Sequence, residues 1–132
     1  MKREIKFRTY SSHNHKMYPV SNIEWDIDGR IWVTADDGKN GIELIDEEAH
    51  LMQCTGLQDK NGREIYENDV LQCTSYTYGN GETGKANLLV KYNEMSAGFI
   101  AGPYMLGKLM DIRKCEVIGN IFENTELLEG KQ

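Results

Sequence analysis

One dipeptide, Asp28-Gly29, limits this chain more than any other feature, because it stands between two runs that read as strands. On one side Ile23, Trp25 and Ile27 alternate with Glu24 and Asp26; on the other lies Arg30-Ile31-Trp32-Val33-Thr34. Alternation with a period of two belongs to a strand with one covered face. Asp-Gly suits a type I′ turn, which needs positive φ at both central residues. A β-hairpin follows. Thirteen glycines and seven tyrosines against two prolines extend the reading to many short strands joined by tight turns.

Other segments fit that picture. In Ile5-Lys6-Phe7-Arg8-Thr9 the pattern predicts a strand that buries Ile5 and Phe7 and presents Lys6 and Arg8 to water. His13 to Lys16 is a polar connection, and Asp36 to Gly41 is a loop by composition. Asp46 to Met52 suits one or two helical turns with Asp46 as the cap. Asp59-Lys60-Asn61-Gly62 offers a second hairpin or a loop reversal. Further strands are expected at Val70–Cys73, Asn87–Tyr92, Gly98–Ala101 and Cys115–Phe122, with a long hairpin loop from Ser75 to Gly84. Met105 to Asp111 shows no clear period, and Asn124 or Thr125 can cap a short helix from Glu126 to Glu129. A composition shift near Asp46 to His50 divides the chain into a β-meander lobe, 1–50, and a barrel-like lobe, 51–132, with separate cores or one shared core.

The run LMQCTGLQDKNGREIYENDVL, Leu51 to Leu71, together with MKREIKFRTY at the start and CEVIGNIFENTELL near the end, resembles the YopX-like phage and prophage proteins. The resemblance reaches from one end of the chain to the other. It implies a phage or prophage origin and a β-rich fold, and it brings no biochemical activity with it. Members of that family usually carry Tyr-Glu-Gly-Asp, where this chain reads Tyr66-Glu67-Asn68-Asp69. Asn tolerates the left-handed region best among non-glycine residues, so positive φ is expected at Asn68. A turn of this form is similar to the entry of many SH3-like barrels, which makes Asp69 a turn brace rather than a catalyst. The expected fold is therefore mainly β: a meander lobe followed by an SH3-like barrel-type lobe, with one or two short helices.

A net charge of -6 disfavours non-specific binding to phosphate backbones. No apolar run approaches the ~20 residues that cross a bilayer, and Lys2, Arg3, Glu4 and Lys6 stand where a signal peptide is apolar. The host-cell cytoplasm, without membrane association, is the expected location. Cys54, Cys73 and Cys115 form no Cys-x-x-Cys pair and are an odd number, so buried reduced thiols are expected there, with no metal and no cofactor. The glycines from Gly79 to Gly84 match G-x-G-x-x-G but precede a strand rather than a helix, against a dinucleotide site. His13-Asn14-His15 has no third ligand nearby, and the pairs Asp36-Asp37 and Glu47-Glu48 read as solvated acids.

No catalytic constellation emerges, so the chain is expected not to be an enzyme. Trp25 aligns with the core face, whereas Trp32 falls on the outer face of its strand. Trp32, Tyr76, Tyr78, Lys6 and Arg8 form the candidate interaction surface. The leading function is a non-enzymatic module acting through a protein partner or by self-assembly. The alternative is a nucleic-acid binding module using the basic first strand and the loop tyrosines, which the net charge disfavours. On that alternative Lys6 and Arg8 carry the footprint; otherwise they guard an edge strand against aggregation.

Overall fold

The structure, a computed structural model, describes residues 5–39, 41–77 and 83–128, with the backbone alone at 75–77 and 83. It is mainly β, and it divides into two compact units, Met1–Cys54 and Thr55–Gln132.

The first unit contains β1 (Phe7–Ser11), β2 (Lys16–Trp25), β3 (Ile31–Asp36), β4 (Gly41–Ile45) and the start of β5 (Ala49–Gln58). β1 to β4 form the expected antiparallel meander, and β5 adds on the far side of β1, giving the order β4-β3-β2-β1-β5. β1 is thus an interior strand, with Arg8 opposite both Pro19 and Met52. The expectation of a charge-guarded edge is corrected. So is the burial of Ile5, which is 59% exposed, while Thr9 and Ser11 are fully covered. Residues 5, 7, 9 and 11 share a face, but β5 pairs only from Phe7 onward, so cover begins further along the strand. Alternation fixes the face of a strand and says nothing about depth along it. Tyr18, Ala35 and Leu44 form one buried cluster of this unit, with Ile42 and Ala49 packed against them, and Val33 and Met52 are buried as well.

The β2–β3 hairpin forms, with a different turn from the one expected. Only Gly29 has positive φ, at 83°. Its N–H donates to the Asp26 carbonyl at 3.0 Å, closing a turn through Ile27 and Asp28. This is a type I turn followed by a left-handed glycine, which lengthens the loop relative to a type I′ hairpin. The expected helix after Asp46 shrinks to a single 3-10 turn, Asp46–Glu48, because β5 begins at Ala49. Asp46 does not cap it; its carboxylate accepts from the Ile31 N–H at 2.9 Å.

The second unit holds the end of β5, then β6 (Glu64–Tyr66), β7 (Asp69–Thr77), β8 (Thr83–Asn93), β9 (Gly98–Ala101), β10 (Tyr104–Met105), α1 (Leu106–Ile112) and β11 (Cys115–Asn120). β6 neighbours β5, and the rest form an antiparallel sheet ordered β10-β9-β8-β7-β11. β10 and β11 are the outer strands and do not pair with each other, so the sheet stays open rather than closing as an SH3-like barrel. β7 and β8 extend to Thr77 and from Thr83, which shortens the expected Ser75–Gly84 loop; residues 78–82 lie outside the described residues. Leu106 and Leu109, one helical turn apart, carry α1 onto a core that includes Ile65, Leu71, Val90, Ala101 and Val117.

Asn68 has φ of 70°, as its place in the signature requires. Asp69 is buried and its Oδ2 accepts from the Tyr66 N–H at 2.8 Å, bracing the turn. The expectation of buried reduced thiols holds for Cys54 and fails for the other two cysteines. Cys73 and Cys115 lie directly opposite on β7 and β11 and form a disulfide, while Cys54 is a buried thiol. The pair is 42 residues apart in sequence, and only the register of two strands brings it together.

Candidate functional site

The hairpin tip is built by one carboxylate. Asp26 Oδ1 accepts from the backbone N–H groups of Asp28 and Arg30, each at 2.9 Å. Oδ2 accepts from Arg30 Nε and from the Trp32 indole N–H, again at 2.9 Å each. The Trp32 indole and the backbone N–H of Arg30 stabilise the charged form, so the Asp26 pKa falls from 3.8 to about 2. A loop otherwise free to flex is tied to both strands that it joins.

What the brace displays is apolar. Ile27 is 100% exposed and Trp25 is 65% exposed. Trp25 was expected in the core, since it shares a face with Ile23. The hairpin runs past the end of the core, however, and the alternation carries Trp25 into solvent. Trp32 stands opposite Glu24 and Ile45, on the face away from buried Val33, half-buried as an outer-face residue should be. Trp25, Asp26 and Trp32 line a cleft of about 170 Å³ with Glu24 and Glu43. An indole beside carboxylates suits a cationic side chain.

The other expected surface residues do not join this site. Lys6 lines a separate groove of about 280 Å³ with Ile5, Phe7 and Ile23. Lys6 and Arg8 are half-buried and already engaged by neighbours. Tyr76 lies in β7 opposite Gly84, with its side chain outside the description, and Tyr78 falls wholly outside the described residues. Trp25, Ile27, Glu24 and Glu43 were missed. Alternation in the sequence ran through Ile27, and only the structure, in which Asp26 to Arg30 form the loop, leaves it no strand position. Among the described residues no three His, Cys, Asp or Glu side chains gather as a metal site, and no helix is long and apolar enough to cross a membrane.

Residues 6–129 match the family model described as YopX protein, so the chain belongs to the YopX family. Among solved structures it resembles protein EF1440 from Enterococcus faecalis, with 26% identity and a TM-score of 0.66 over 97% of this chain and 100% of that one. It also resembles protein yopX from Bacillus subtilis, with 18% identity and a TM-score of 0.56 over 94% and 98% of the two chains. The second likeness is one of fold alone. No curated protein sequence matches the chain.

Proposed function

We propose that this YopX-family protein is a phage or prophage accessory protein of the host cytoplasm that works without catalysis, docking a protein partner on the β2–β3 tip. The observation that carries the reading is the exposure of Trp25 and Ile27 on a turn that Asp26 holds rigid. A large apolar side chain left in water costs about 1.5–3 kcal/mol relative to burial, and covering two of them drives association. A braced loop also loses little entropy on docking. The cleft beside it adds direction, since Glu24 and Glu43 next to Trp32 favour a partner with a basic side chain.

The test starts from tagged protein recovered from host cells carrying the phage, with and without nuclease. A partner that survives digestion is purified and its affinity measured by calorimetry. Trp25→Ala should weaken binding by about 2 kcal/mol, roughly 30-fold, the loss typical of an interface anchor. Because Trp25 is exposed, its removal leaves the fold intact. Equal affinity for the variant, or loss of all partners on digestion, overturns the proposal, and the second result favours nucleic-acid binding.

A further inference from the structure

A cavity of about 470 Å³ lies in the second unit, away from the hairpin tip in sequence, between α1 and one face of its sheet. Ala86, Leu88, Pro103 and Leu109 form its apolar walls, and Cys73, fixed by its bond to Cys115, forms another part of them. Polar groups are few. Tyr104 and Arg113, the latter just past the end of α1, are the polar side chains among the lining residues besides Thr74, which alternates with Cys73 on β7. A volume of roughly 300–1,000 Å³ with apolar walls and a few polar groups is what small-molecule sites share.

The Thr74 N–H donates to the Lys114 carbonyl at 3.1 Å, which holds the segment carrying Arg113 alongside β7. Among the described residues no carboxylate pairs with the Arg113 guanidinium, although Asp111 precedes it by two positions. An exposed, uncommitted guanidinium at the rim of an apolar cavity matches a ligand with an apolar body and one anionic end.

We propose that this cavity binds a free amphipathic carboxylate, with the hydrocarbon or aryl body against Leu88 and Leu109 and the carboxylate on Arg113. The inference is independent of the partner-docking tip, because none of its residues lies there.

The experiment uses the full chain with its disulfide intact and two probes of equal length, decanoate and decanol, titrated by calorimetry. Decanoate should bind saturably with one site, and decanol more weakly. Arg113→Gln should lower decanoate affinity about tenfold, as the loss of a charge-assisted hydrogen bond predicts, and leave decanol unchanged. Ala86→Trp should fill the cavity and abolish binding of both. Arg113 is at the surface, so its variant reports even where Ala86→Trp does not fold. Absent binding of decanoate, or an unchanged affinity in Arg113→Gln, overturns the proposal.

Discussion

At the residue scale the chain uses one device twice. Asp26-Ile27-Asp28-Gly29-Arg30 and Asp59-Lys60-Asn61-Gly62-Arg63 share the pattern Asp-x-(Asp or Asn)-Gly-Arg, and they share its geometry. In each, the aspartate Oδ1 accepts backbone N–H groups two and four positions on, and a glycine with φ of 83° donates to the aspartate carbonyl. The second oxygens differ in use. Asp26 Oδ2 takes the Trp32 indole, whereas Asp59 Oδ2 takes the Val117 N–H at 2.9 Å and so ties its turn to β11. Burial opposes ionisation of Asp59, yet hydrogen bonds from Val117, Arg63 and Asn61 outweigh it and lower its pKa. Asp59→Ala should cost about 3 kcal/mol in urea unfolding, because it strands a buried Val117 N–H and two turn donors. Asp26 sets a pH signature. Its carboxyl titrates near 3.8 when unfolded and at about 2 when folded, so its stabilisation is complete above the first value and lost as pH falls through the second. Asp26→Asn should flatten the acid limb of the urea midpoint against pH; an unchanged limb would remove Asp26 from that role.

At the element scale, local chemistry was legible and placement was not. The Asp-Gly signal announced the β2–β3 hairpin, and the Asn68 turn followed from its need for positive φ, found at 70°. The turn type was misjudged because the Asp26 side chain competes for the backbone donors of the loop, an interaction that a dipeptide rule omits. α1 was illegible for a different reason: seven residues including Gly107 have little helical tendency alone, and the segment is held by Leu106 and Leu109 on the sheet. The disulfide belongs at this scale too, since it fastens β11 to β7. Cys115→Ser should lower stability by about 3–4 kcal/mol under non-reducing conditions, following the loop that the bond closes. Wild-type protein brought to reducing conditions should show a similar loss, and alkylation in denaturant before reduction should label Cys54 alone.

At the scale of the whole molecule, two units carry two unlike surfaces: an apolar tip beside carboxylates in one, and an apolar cavity beside the Arg113 guanidinium in the other. The net charge of -6 sets the background against which both work. Duplex DNA should show no mobility shift with this protein at physiological salt, because the cations Lys6 and Arg8 are half-buried, Arg8 within an interior strand and Lys6 just before it. A salt-sensitive shift would reverse that expectation. The sequence by itself determined the β class, the hairpins and the left-handed Asn68, which rest on alternation and turn chemistry among near neighbours in the chain, and membership of the YopX family, which rests on a match over residues 6–129. Tertiary structure alone decided that β1 lies between two strands, that Trp25 overshoots the core, that the second sheet stays open and that Cys73 meets Cys115. Each of these depends on which distant strand arrives alongside and where along it the cover begins, and that is set by packing between segments tens of residues apart.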